Sequence, residues 1–428
     1  MNKNKEILIV GFALFSMFFG AGNLILPPYL GVKAGEAWSL VTIGFFITAV
    51  FIPILGILAH AKLQGTMYDF GKKVAPSFSR IYCLIVYLIS ITLPAPRTAS
   101  VTHEMAVAPF FKTSPLLTSV IYFVLVFLFV INRSKILSLI GKYLTPLIIL
   151  ILTSIICVGT FSAPETMQAS SLSAPLINGV LEGYQTFDAI GAIVVGGVLI
   201  ISIHFKKDVP FKIKKELISK AGFVAGIGLL IIYTGLIYNG ALFSNIFSSE
   251  TTRVEVLSGL STHTLGNIGT AFLSILVGLA CFTTAIGIIT GTSDYVKGLF
   301  NNSQRAYIIT AIVGCILGIA IGQFDVHYII NIALPALMFV YPITIVLIFL
   351  NVLPNKWASP LVFKAVVFFT FVFSIPDFLQ FLLPADSLTK IQHMIPFSKE
   401  NLGWVLPALL TFIIVNLTQN TRFVKASS

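Results

Sequence analysis

Residues Phe18–Pro28 read "FFGAGNLILPP" and lie in an apolar run with no charge between Ile7 and Gly31. A run of that length and composition is a membrane-spanning helix. Yet Gly20 and Gly22 lower the cost of leaving a helix, and Pro27 has no N–H for the carbonyl of Asn23. The stretch therefore predicts a spanning helix broken in its middle. Unwound backbone is tolerated at membrane depth only where it is packed in protein or faces a water-filled cavity. Such a break leaves N–H groups at the start of the second half-helix, which suit a carboxylate. It also leaves carbonyls at the end of the first half, which suit an ammonium group or a sodium ion. For this span alone, a kink that serves packing is the other reading.

The rest of the chain sets this span in a polytopic membrane protein. Of 428 residues, 57% are hydrophobic and 10% charged, against about 25% charged in a soluble domain. A single membrane domain over 1–428 is expected. The first run is too long for a cleavable signal core and ends in no small-residue cleavage site. Twelve apolar windows are long enough to span: 7–31, 39–61, 81–101, 114–131, 143–161, 178–204, 221–243, 267–291, 306–323, 327–350, 365–383 and 402–419. The net charge is +11, but its lysines and arginines sit in short loops, which speaks for topology and against nucleic acid. With the N-terminus inside, all but Lys33, Arg97, Lys112, Arg253, Lys390 and Lys399 of the 27 basic residues fall on the cytoplasmic side. The positive-inside rule then places both termini in the cytoplasm. The linker Lys206–Lys220 reads as a topological anchor, and Ser248–Gly266 as a short surface helix. The four cysteines lie in apolar runs and have no metal-ligand spacing.

Span six repeats the anomaly of span one. Glu182–Ala189, "EGYQTFDA", puts two carboxylates, an amide and hydroxyls inside an apolar run, and Gly191 and Gly196 follow. Ionisable groups inside a span are costly and mark function or a buried pair, so Glu182 and Asp188 read as coupling or structural groups. Spans one and six are five apart and run in opposite directions. Interrupted helices so placed are the signature of an inverted repeat: 7–161 and 178–350 as the two copies, with two additional helices over 365–419. Arg97 in span three reads as a carboxylate contact or as a pair for Glu104 or Asp188. Thr283 and Thr284 in span eight offer adjacent hydroxyls, as ligands or as bonds back to their own helix. No nucleophile–base set, metal-ligand spacing or nucleotide-binding loop is present, so neither an enzyme nor an organic cofactor is expected.

Four motifs, "FALFSMFFGAGNLILPPYLG" (12–31), "PRTA" (96–99), "LEGYQTFDA" (181–189) and "LACFTTAIG" (279–287), resemble the bacterial branched-chain amino acid carrier family (BrnQ, or LIVCS). The resemblance runs over nearly the whole chain. It implies an all-α integral membrane protein of twelve transmembrane helices, with the LeuT-type 5+5 inverted repeat, two extra helices and spans 1 and 6 discontinuous. It implies symport of Leu, Ile and Val with Na+ or H+ across the bacterial cytoplasmic membrane by alternating access. The alternative is a carrier of another amino acid or a small organic cation. The partners it implies are the substrate and the lipid bilayer, with no nucleic acid and no obligatory protein. On this likeness the substrate carboxylate meets the N–H groups of Ala21 and Gly22, next to Asn23. Its ammonium meets the carbonyl of Phe18 and groups around Gln185, Thr186 and Phe187. Pro94, Arg97, Thr98 and Ile288 line the remaining pocket. A sodium site is implied at carbonyls of Ser16, Phe19 and Ala280 and hydroxyls of Thr283 and Thr284. Asp188 departs from the wider superfamily's pattern.

Overall fold

A computed structural model describes residues 3–132, 136–162, 166–194, 196, 210–248 and 250–426, and every regular element among them is helical. The first window holds two helices, α1 (Lys3–Phe18) and α2 (Ala21–Ala34), with Phe19 and Gly20 between them. Pro27 and Pro28 lie inside α2. The prolines therefore do not make the break, as their position in the sequence suggested. Each removes one backbone bond in a helix that continues past it.

The second window holds α3 (Trp38–Phe46) and α4 (Ile52–Leu63), joined by a π-helical turn at Ile47–Phe51. After the short α5 (Met67–Gly71), α6 (Pro76–Thr92) and α7 (Pro94–Thr102) divide at Leu93. Pro94 starts α7, where its missing N–H has no helical partner to lose. Then follow α8 (Pro115–Asn132), α9 (Ile136–Ser162) and α10 (Pro175–Tyr184). The helical residues 188–194 are α11. Residues 195 and 197–209, the end of window 178–204 and the start of the Lys206–Lys220 linker, lie outside the described residues. Beyond them come α12 (Phe211–Leu242), α13 (Arg253–Leu299), α14 (Gln304–Gly322), α15 (Val326–Val352), α16 (Pro360–Leu379), α17 (Thr389–Met394) and α18 (Val405–Ala426).

The expected surface helix is the first part of α13. Thr252 and Glu255 cap it reciprocally at 3.3 and 2.8 Å, and it bends at Gly266, whose φ of 68° favours glycine. Eight stretches of the described helices are long and apolar enough to cross a membrane, and Pro146–Ser162 and Val405–Gln419 are shorter apolar helices.

The chain divides into two compact units. The first comprises 1–51, 87–188 and 220–331, and in it α13 packs on α2, α7, α9 and α14. Two helix pairs in this unit meet backbone to backbone at glycines. A Cβ on Gly31 of α2 would lie 2.0 Å from the Ile237 carbonyl oxygen of α12, and one on Gly240 of α12 would lie 2.0 Å from the Pro28 carbonyl oxygen. In the other pair, a Cβ on Gly44 of α3 would lie 2.0 Å from the Leu176 carbonyl oxygen of α10, and one on Gly179 of α10 2.2 Å from that of Val41. The second unit comprises 52–86, 189–219 and 332–428. There His60 Nε2 sits 2.7 Å from the Ile193 carbonyl oxygen, Tyr82 and Thr344 share a 2.8 Å hydroxyl bond, and α16 packs on α18.

Candidate functional site

The break in span one is small. Phe19 still donates to the Phe15 carbonyl at 2.9 Å, and Gly20 is then extended at φ −114° and ψ −169°. The Gly20 N–H donates to Asn23 Oδ1 at 3.4 Å. The first N–H groups of α2 have no carbonyl one turn back within their own helix, and they start at Ala21. Asn23 also faces outward from its own turn: its Nδ2 donates to Asp188 Oδ2 at 2.6 Å and contacts the Tyr233 hydroxyl. Tyr233 donates to the same carboxylate oxygen at 3.3 Å. All three side chains are buried. The motifs of spans one and six are thus tied together by one side-chain network. Tyr233 lies inside the apolar run "LLIIYTGLIY" (229–238), and the sequence reading did not single it out; the adjacent hydroxyls of Tyr233 and Thr234 amid aliphatic residues were the signal available.

The break in span six is tighter. Gln185, Thr186 and Phe187 donate to Glu182, Gly183 and Tyr184 in three-residue turns at 3.0, 3.3 and 3.1 Å. Phe187 is left-handed at φ 62°, which costs a non-glycine residue about 1–2 kcal/mol. Strain of this kind persists where the surroundings enforce it. Here they do: the Arg97 guanidinium lies 5.2 Å from the centroid of the Phe187 ring, and its Nη1 donates to the Gln185 carbonyl at 2.8 Å. Arg97 is 4% exposed. Its other side faces span one, where a Cβ on Gly22 would lie 2.6 Å from Arg97 Nη2 and 3.3 Å from the Gln185 carbonyl oxygen. One guanidinium therefore touches the second residue of α2 and the carbonyl just past α10.

Several expected partners change accordingly. Of the groups around Gln185–Phe187 expected to meet a substrate ammonium, the Gln185 carbonyl accepts from Arg97. The Thr186 hydroxyl donates to Gly183 at 2.8 Å and accepts from the Asp188 N–H at 3.2 Å. Gln185 Oε1 is buried and has no hydrogen-bond partner among the described residues, which leaves it as one acceptor near this break. Glu104, one expected partner of Arg97, accepts from the Val326 N–H at 2.8 Å. Glu182 stands apart from the break and pairs with Arg253 Nη2 and Nε at 3.0 Å, while Arg253 also covers the Tyr29 ring at 4.5 Å. That pair spans 71 residues, and no local pattern announces it.

The proposed sodium ligands are only partly assembled around the first break. Thr283 and Thr284 both donate to the Ala280 carbonyl at 2.9 Å, which is the bond back to the same helix weighed beside the ligand reading. Thr284 nevertheless reaches the break: a Cβ on Gly20 would lie 3.3 Å from its Oγ1. Phe19 is buried and stacks on Phe15 at 5.0 Å, and Ser16 lies in the last turn of α1. Pro94 and Thr98 are buried on α7. Ile288 of α13 packs on the cluster that contains Ala95 and Ala99 of the same α7.

A buried arginine joins the two half-helix ends at the centre of this site. The architecture is that of LeuT-fold transporters. The chain superposes on MhsT in complex with L-phenylalanine with a TM-score of 0.55, 18% identity and coverage of 95% of this chain and 98% of that one. It superposes on Mhp1, a nucleobase-cation-symport-1 family transporter, with 0.57, 12% identity and coverage of 98% and 93%. The chain belongs to the family described as "Branched-chain amino acid transport protein", which matches residues 3–422. It is 32% identical over 425 residues to the branched-chain amino acid permease BraB of Bacillus subtilis (96% of this chain, 94% of that one). It is 31% identical over 421 residues to the branched-chain amino acid transport system 2 carrier protein of Pseudomonas aeruginosa (96% and 95%). The protein is accordingly a transporter and not an enzyme.

Proposed function

We propose that the protein imports leucine, isoleucine and valine by symport with Na+, by alternating access, in the bacterial cytoplasmic membrane with both termini inside. The names of its relatives support the substrate class. The observation that carries the site assignment is the position of Arg97, buried and pressed on Gly22. A guanidinium beside the positive end of α2 sets two positive groups together, an arrangement that suits a carboxylate. The substrate carboxylate binds the Ala21 and Gly22 N–H groups and Arg97. Its ammonium binds the Phe18 carbonyl and Gln185 Oε1, and its side chain lies among Pro94, Thr98, Phe187 and Ile288. Burying a branched side chain contributes about 1.5–3 kcal/mol.

Twelve spans and the 5+5 repeat belong to the same proposal. Thr284 is the best-placed sodium ligand. Asp188, hydrogen-bonded to Asn23, is the group through which H+ coupling would act instead.

The test is uptake of labelled leucine into proteoliposomes with and without an inward sodium gradient, at fixed and at stepped pH. Uptake driven by sodium and competed by isoleucine and valine supports the proposal. Uptake driven by a pH step alone transfers coupling to H+. Strong competition by lysine overturns the branched-chain assignment, because the pocket would have to bury an unpaired charge.

A further inference from the structure

Two cavities adjoin in the second unit, and the proposed transport path uses neither. One is a groove of about 340 Å³ among α6, α15 and α16, walled by Phe78, Ile81, Ile85, Phe339, Phe368 and Phe371, with Lys364 at its rim. Ile81 and Phe368 are 57% and 61% exposed. The other is a cup of about 460 Å³ lined by Lys62, Lys73, Asn351, Asn355, Ser359 and Pro360. Among the described residues, no acidic side chain lines either cavity. Consecutive residues line the two, Lys73 the cup and Val74 the groove; Lys73 Nζ lies 4.9 Å from the centroid of the Phe363 ring and donates to Asn355 Oδ1 at 3.3 Å.

The cup is built for an anion. Lys62 is fixed by the Asn351 carbonyl at 3.0 Å and the Leu353 carbonyl. Helix α16 begins at the cup, with Ser359 capping Val362, so its positive end faces the same space. Burial lowers the Lys73 pKa, and a neighbouring anion would reverse that cost. A separate observation points to a ligand with a hydroxyl: Asn351 is 1% exposed, and its Oδ1 has no hydrogen-bond partner among the described residues.

We infer that the cup and groove together bind one anionic glycerophospholipid, its phosphate at Lys73 and Lys364, its headgroup hydroxyl at Asn351 and an acyl chain along Phe78, Phe339 and Phe368. Clustered lysines at the membrane-facing ends of helices attract anionic headgroups. Here the groove adds a place for the chain that a free anion would not use.

The test is native mass spectrometry of detergent-purified protein equilibrated with equal phosphatidylglycerol and phosphatidylethanolamine. The parent should retain phosphatidylglycerol in preference, and excess inorganic phosphate should not displace it. Lys73→Gln with Lys364→Gln should lower that retention at least fivefold, and Phe368→Ala should lower it for either lipid. Thermal unfolding without added lipid reports whether each variant is folded. Parent-like retention in the double lysine variant, or equal retention of the two lipids by the parent, overturns the inference. Displacement by inorganic phosphate does so too, by reducing the cup to an anion site.

Discussion

The two breaks solve the same problem with opposite chemistry. In span one the helix stops at Phe18 and restarts at Ala21 over an extended glycine, and the exposed end is an N-terminus. In span six no glycine lies between Gln185 and Phe187. A left-handed phenylalanine takes the strain, and the exposed end is a C-terminus capped by Arg97. The glycine break gives backbone donors room to approach a ligand. The strained break fixes a cation in place, because Phe187 and the guanidinium hold each other. Both features are positive, and both suit a carboxylate. The comparison teaches that the site's polarity is set by which end of a half-helix is left open.

The largest effect is expected at the contact between the breaks. Gly22→Val places side-chain carbon where Arg97 Nη2 sits. Leucine binding should fall on the order of a hundredfold or more, about 2.8 kcal/mol, in equilibrium dialysis with labelled leucine. Gly191, where a Cβ meets nothing within 4 Å, is the comparison, and Gly191→Ala should bind like the parent. Parent-like binding by Gly22→Val would reduce the first break to a kink.

Next comes Arg97→Gln, which removes the charge shared by the breaks. Losing one side of a buried charge pair costs about 2–5 kcal/mol, so leucine affinity should drop by roughly thirtyfold or more. Leucinol, which has no carboxylate, should bind equally poorly to parent and variant. If the substitution weakens leucinol and leucine alike, Arg97 holds the helix and not the carboxylate.

Asp188→Asn tests the link through Asn23. A hydrogen bond to a charged group contributes about 1.5–3 kcal/mol, and the amide keeps its shape. The dependence of uptake on sodium and on external pH should both be recorded. Lost pH dependence with sodium response intact assigns the proton to Asp188; neither changing makes the group structural.

The smallest effect is expected at Thr284→Val. Removing one of several oxygens from a sodium site costs about 1 kcal/mol, a several-fold rise in the sodium concentration for half-maximal uptake. Thr283→Val should shift it less, since only Thr284 is known to meet the first break. An equal shift in both variants would place the ion along α13 rather than at Gly20.

Part of this was legible because membrane spans are long apolar runs, and eight stretches of the described helices are long and apolar enough to be such spans. Polar residues at Glu182–Ala189 located the second interruption, and "GAGN" located the first. The partners were not legible. Arg97 offered three candidate partners in sequence, and one acceptor it also meets is the backbone carbonyl of Gln185, which no residue type encodes. Tyr233 and Arg253 reach Asp188 and Glu182 across 45 and 71 residues, distances over which periodicity carries no information. The prolines misled for a physical reason. A missing N–H costs one bond, and tertiary packing around α2 keeps the helix going.

The glycine contacts have a mechanical consequence. At Gly31 and Gly240, and again at Gly44 and Gly179, no side chain separates the paired backbones. Surfaces that interlock at main-chain range have no lubricating layer of rotamers, so sliding or rolling would drive carbonyl oxygens into Cα atoms. Any stroke that opens the site must therefore carry α2 together with α12, and α10 together with α3, as two stiff bars. A covalent cross-link within either bar should leave leucine uptake running. Uptake that stops when α2 is tethered to α12 would show that the stroke shears this contact instead.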